Sequence, residues 1–163
     1  MKLYIMKIKL LLLAGFLGVT MVSCEEDVDV YYRFDESTFL TKQSLWEEQH
    51  IQSYRFEQHY MSSATGPVSE TIVVHNGIAT SDADESNPVL IGTISDVYTK
   101  VLNDFNQGKY HQTMPIYGIS VDVTYNNEYH FPEEIKFSTA YKDDVVGGAW
   151  YDLKISNFEI LEE

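Results

Sequence analysis

Five histidines, 25 carboxylates and one cysteine are the groups of this 163-residue chain most suited to hold a metal, move a proton or attack an electrophile. His50, His59, His75, His111 and His130 are candidate metal ligands, yet no two stand three or four residues apart and none sits in an H-E-x-x-H arrangement. That spacing would put two imidazoles on one helix face, and without it neither a metal site nor any other cofactor is expected. Carboxylates occur as neighbours, in Glu47-Glu48, Glu133-Glu134 and Asp143-Asp144. Adjacent side chains diverge, so these pairs read as solvated charge and not as an acid and base flanking one bond. Asp82, Asp84 and Ser86 copy the first ligand positions of a calcium loop, but Asn87 stands in place of its glycine and Thr93 in place of its closing glutamate. No G-x-S-x-G elbow or phosphate-cradling Gly-rich loop with Lys-Ser/Thr is present, and Gly147-Gly148 reads as a turn. The expectation is a protein that is not an enzyme; the alternative is a hydrolase whose carboxylates meet only in three dimensions.

Cys24, the only cysteine, can form no intrachain disulfide. Lys2, Lys7 and Lys9 precede an apolar run from Leu10 to Val22, shorter than the ~18 to 20 residues of a spanning helix, so residues 1–23 read as a removable leader. Met21-Val22-Ser23-Cys24 resembles the lipobox of bacterial lipoproteins, with Met21 where leucine is commoner. The resemblance implies a diacylglyceryl group on the Cys24 thiol, cleavage just before it, and attachment to the outer membrane through a lipid anchor. With ~0.8 kcal/mol per buried methylene, two or three acyl chains hold durably. Glu25-Glu26-Asp27 and Asp29 follow, a tract that resembles the export signal sending some bacterial lipoproteins to the outer membrane's outer face. Surface-exposed and periplasmic orientations both stay open. Residues 24–37 are expected to form an acidic tether, and 38–163 a single domain.

The rest of the composition narrows the partners. Without the three leader lysines, eight cationic residues face 25 acidic ones, a balance of −17. Such a surface repels phosphate backbones, so no nucleic acid is expected. At 44% hydrophobic, with twelve tyrosines and eight phenylalanines, the chain has the material for an aromatic-rich core.

The elements that position these groups follow from periodicity. Residues 38–52 lack Pro and Gly and bring Phe39, Leu40, Trp46 and His50 within reach of one helix side. Tyr54, Phe56 and Tyr60 alternate with Arg55, Glu57 and His59, the pattern of a half-buried strand. Asn76-Gly77 between β-branched runs predicts a hairpin, and the strand after it is very short. Ile94, Val97, Tyr98, Val101, Leu102 and Phe105 form one helical stripe, with Thr93 and Asp96 as a capping box and Gly108 as its stop. Ile119 to Tyr125 and Glu134 to Thr139 alternate as paired strands. In the last strand Leu153 and Ile155 are out of phase with Phe158 and Ile160, which predicts a β-bulge near Ser156-Asn157. The order predicts an α+β fold: an antiparallel β-sheet of meanders and hairpins with one or two helices packed on one face.

Trp46, Tyr54-Arg55-Phe56, Val73 to Gly77, Thr93 to Tyr98 and above all Val121 to Phe137 resemble a bacterial family, domain of unknown function 6174, common in secreted proteins and lipoproteins. Asn126 stands where that family often has Asp, and His130 where Gly is usual. The resemblance implies an α+β lipoprotein domain and donates no catalytic residue. Tyr129 and His130 in the 126–133 turn, with Trp150 and Tyr151 before the last strand, are the candidate contacts for a protein or glycan partner; core plugging is the competing reading of Trp150 and Tyr151. The expected function is therefore a non-catalytic binding module of the cell envelope, or a structural subunit of an envelope complex.

Overall fold

The computed structural model describes residues 29–82, 92–111, 114–142 and 148–162. Along the chain they form β1 (Tyr31–Arg33), α1 (Glu36–Glu47), β2 (Tyr54–Ser62), β3 (Gly66–His75), β4 (Ile78–Ser81), α2 (Ile94–Tyr110), β5 (Ile116–Tyr125), β6 (Pro132–Tyr141) and β7 (Trp150–Ile160). The strands make one seven-stranded sheet ordered β1-β5-β6-β7-β2-β3-β4, and with the two helices the fold is α+β. The leader, Cys24, Asp84, Ser86 and Asp143 to Gly147 lie outside the described residues.

The sheet is mostly antiparallel, but β1 runs parallel to β5, with Tyr31 opposite Gly118, which corrects the expectation of a purely antiparallel sheet. Arg33 pins this short strand: its Nε donates to Ser120 Oγ at 2.9 Å and its NH2 to Asp122 Oδ2 at 2.6 Å. Tyr32 meets Phe105 edge-on at 6.2 Å. Residues expected to tether the domain as far as residue 37 are thus seated in the sheet from Tyr31, and α1 begins at Glu36 with Asp35 as N-cap. The Asp35 side chain accepts from Thr38 N at 3.0 Å. That bond holds its carboxyl below the usual range.

Helix α1 buries Phe39 and Trp46, seven residues or two turns apart. Leu40 stays 44% exposed, and His50 lies past the helix end in a left-handed conformation (φ 53°), so the predicted apolar side is narrower and shorter than its sequence suggests. Helix α2 keeps its stripe: Ile94, Val97, Tyr98, Val101 and Phe105 are all buried, and both halves of the Thr93–Asp96 capping box form. It runs past Gly108 to Tyr110. A β-carbon at Gly108 would stand 2.6 Å from Ile119 Cδ1, so this glycine permits close approach to β5 and does not end the helix.

The Asn76-Gly77 hairpin forms with φ of 50° and 77°, joining β3 to the four-residue β4. The predicted bulge is present as well: the β2–β7 register shifts between Arg55 and Glu57, and Asn157 adopts φ 52°. The extra residue rephases β7, so that Ile155 is buried and Phe158, three positions on, packs against Phe131 at 4.7 Å.

Strand register gives the sheet two ends. At the entry end, where the chain joins the sheet, lie the starts of β1, β5 and β7, the end of β6 and the β2–β3 turn. At the far end lie the β5–β6 turn, the start of β2 and the end of β7. Aromatic rings lock the far end: Trp46 meets Tyr54, Phe131 and Phe158 edge-on at 5.5, 6.1 and 5.9 Å.

Candidate functional site

At the entry end the sheet and the last turns of α2 leave a cleft of about 360 Å³, within the usual range of small-ligand sites. Strand β7 supplies Tyr151 and β6 supplies Phe137 and Thr139, while α2 supplies Lys100, Asp104 and Gln107. The β2–β3 turn adds Ser63 at the rim, tied down where its N–H donates to the Trp150 carbonyl at 3.1 Å. Helical periodicity explains the α2 contribution. Lys100 and Asp104 are four residues apart, one turn of the same face, flanking the buried stripe at Val101 and Phe105.

Tyr151 is the floor. It is 5% exposed, and its ring is stacked by Phe137 at 5.1 Å and by Tyr60 at 5.6 Å. Lys100 Nζ lies 4.7 Å from its ring centre and donates to Asp104 Oδ2 at 2.8 Å. The Tyr151 hydroxyl is closed to solvent and makes no hydrogen bond of ordinary geometry. Burial drives its pKa far above the usual phenol value, and the neighbouring Asp104 carboxylate adds to the shift. The phenol therefore stays protonated. What the cleft offers a ligand is an aromatic floor, a charge pair already satisfied within itself, and small hydroxyls at the rim, a combination suited to recognition.

The four expected contact residues divide between the two ends. Trp150 and Tyr151 are at the entry end, but as consecutive strand residues they face opposite ways: Tyr151 is buried and Trp150 is 37% exposed. Tyr151 is thus core, as the plugging reading has it, while Trp150 is not. Tyr129 and His130 are at the far end, roughly 25 Å away along β7 at ~3.3 Å per residue. Tyr129 packs on Phe158 at 5.1 Å, and its carbonyl accepts from Gln49 Nε2 at 2.8 Å. The His130 carbonyl accepts from Tyr98 Oη at 2.8 Å, and its backbone is left-handed at φ 66°. A glycine would take that conformation freely; here the cost is met by the fixed turn around it, in which Asn126 Oδ1 accepts from the N–H groups of Glu128 and Tyr129. The turn residues hold structure, and the four do not form one platform.

Lys100, Asp104, Thr139 and Ser63 were not singled out by sequence. The one local signal was the spacing of Lys100 and Asp104; the others meet only through sheet order. Among the described residues no group of three or more His, Cys, Asp or Glu could hold a metal ion. Asp82, the described member of the calcium-like run, uses its Oδ1 to accept from Thr71 N at 2.6 Å, which lowers its pKa. The buried Glu70 has both carboxylate oxygens engaged, by Gln58 Nε2 and by Ser81 Oγ.

Comparison with known proteins places the sequence without adding an activity. No curated protein and no solved structure matches it. The family of unknown function DUF6174 matches over residues 38–159.

Proposed function

The chain belongs to DUF6174, and on that footing we propose that it is a cell-envelope lipoprotein, held to the outer membrane through Cys24, whose domain is a non-catalytic binding module. In this reading the two helices cover one face of the sheet, and the ligand enters where that cover stops short, at the entry-end cleft. The observation that carries the binding role is the composition of the cleft. Asp104 is its one lining carboxylate among the described residues, and Lys100 already neutralises it. A two-carboxylate glycoside hydrolase sets its pair within about 10 Å, and the one buried carboxylate among the described residues, Glu70, is committed to Gln58 and Ser81. The favoured ligand is a neutral group the size of a sugar ring or two, or a side chain of a protein partner, seated in the cleft that Tyr151 and Phe137 floor.

Affinity capture from native envelopes with the full chain tests this, using Ser63→Trp to fill the cleft from an exposed turn. Loss of the captured component with an unchanged melting temperature is expected. Equal recovery by both forms would remove the cleft from the function. Metabolic labelling with a clickable fatty acid tests the anchor: label is expected on the natural chain and absent from Cys24→Ala.

A further inference from the structure

Exposed apolar side chains are unevenly spread. Of the ten large hydrophobic residues most exposed among the described residues, seven are at or next to the entry end. Tyr31 and Tyr32 are in β1, Tyr110 ends α2, Met114 and Tyr117 flank the start of β5, and Trp150 opens β7. Their exposures run from 37% for Trp150 to 65% for Tyr110; the seventh, Met61, is in the last turn-ward residues of β2. Lys109 Nζ lies 5.6 Å from the Tyr32 ring and 5.0 Å from the Tyr110 ring, so a cation is threaded among them. Tyrosine and tryptophan at one end, with a lysine among them, make a surface suited to the water–hydrocarbon boundary, where amphipathic rings settle at headgroup level.

The path of the chain points the same way. Because β1 is parallel to β5, residue 29 leaves the sheet at this end and no other. Asp29 is five residue steps from Cys24, which fully extended span at most about 18 Å. Resting on the lipid anchor read at Cys24, we propose that the entry end is a membrane-docking surface, with Tyr31, Tyr110, Met114 and Trp150 seated in the headgroup region of the bilayer that holds the anchor. Met114 and Trp150 also line the binding cleft, so its rim then meets the membrane. The chain's strong negative charge makes an electrostatic attraction to anionic lipid an unsuitable cause. The partner is the apolar–polar boundary itself, so docking persists on zwitterionic lipid and in high salt.

Two tryptophans of opposite exposure make the test direct. The full chain, purified with its native N-terminus, is reconstituted in phosphatidylcholine vesicles bearing a quencher at shallow acyl depth. Trp46 is 4% exposed and serves as an unquenched background, while Trp150 is the reporter. Quenching of part of the emission is expected, lost in Trp150→Phe and unchanged on adding salt. In Trp150→Phe/Ile78→Trp the reporter moves to the exposed β3–β4 hairpin and is expected to be unquenched. An unquenched Trp150, or equal quenching from Trp150 and the Ile78 position, overturns docking. So does shielding of Trp150 that grows with protein concentration in the absence of lipid, which would assign the surface to a second copy of the chain. Fatty-acid labelling decides the anchor separately: a labelled chain with unquenched Trp150 leaves the anchor standing and removes docking, and an unlabelled chain that is still quenched does the reverse.

Discussion

The far end of the sheet and its entry end contain the same kinds of side chain used in opposite ways. At the far end Trp46 meets Tyr54, Phe131 and Phe158 edge to face, and the Tyr98 hydroxyl finds the His130 carbonyl at 2.8 Å. At the entry end Tyr151 is buried just as deeply, but its hydroxyl makes no hydrogen bond of ordinary geometry, its neighbours line a cleft, and tyrosines stand out from the surface. Aromatic content alone therefore does not separate core from contact surface. What separates them is whether each ring's polar tip and free face have been matched within the fold.

The largest effect is expected where matching is complete. Trp46→Ala removes the ring on which three others converge and should cost about 3–5 kcal/mol, read from chemical denaturation. An equivalent loss at exposed Trp150, by Trp150→Ala, should stay below about 0.5 kcal/mol. A cost near zero for Trp46→Ala would break the contrast between the two ends.

Next comes the clamp that brings the chain into the sheet. A β-carbon at Gly118 would stand 2.5 Å from both the Tyr31 carbonyl oxygen and its ring. Gly118→Ala should push β1 off the edge, at a cost of about 1–3 kcal/mol, and expose Arg33 to trypsin without loosening the far end. Unchanged cleavage would show that β1 is not held by this fit.

A graded effect is expected with alkali. Burial raises the pKa of Tyr54, Tyr98, Tyr125 and Tyr151, that of Tyr125 to about 12. The folded state thus keeps protons that the unfolded chain sheds near pH 10. The stability linked to these groups is complete below pH 10 and falls as pH rises from there through the folded values. Tyrosinate absorbance should rise in two stages, exposed tyrosines first and these four with unfolding; a single stage centred near pH 10 would contradict their burial.

Sequence carried the far end better than the entry end. The α2 stripe and its capping box, the Asn76-Gly77 hairpin and the bulge at Asn157 are all local signals, each contained in fewer than about twenty residues, and each formed as expected. Strand β1 was missed because its signal is remote: three residues inside an acidic stretch become a strand only through Gly118, Ser120 and Asp122, which lie some 87 positions on. Helix α1 was overextended because only Phe39 and Trp46 anchor it, too few to mark where its periodicity ends. The cleft was illegible for the same reason as β1. Its walls come from α2, β6, β7 and the β2–β3 turn, and only the sheet order makes them neighbours.

The smallest effect is also the sharpest, since it compares one atom at each end. Tyr98→Phe and Tyr151→Phe each delete a buried hydroxyl, and the two rings are similarly enclosed. Tyr98 loses a hydrogen bond to His130 and leaves a carbonyl unmatched, so unfolding free energy should fall by about 1 kcal/mol. Tyr151 loses a hydroxyl that makes no hydrogen bond of ordinary geometry and has only the Asp104 carboxylate, already held by Lys100, as a polar neighbour, so Tyr151→Phe should cost less than Tyr98→Phe. Equal destabilisation by both substitutions would contradict the claim that the buried hydroxyl at the entry end is less well matched than the one at the far end.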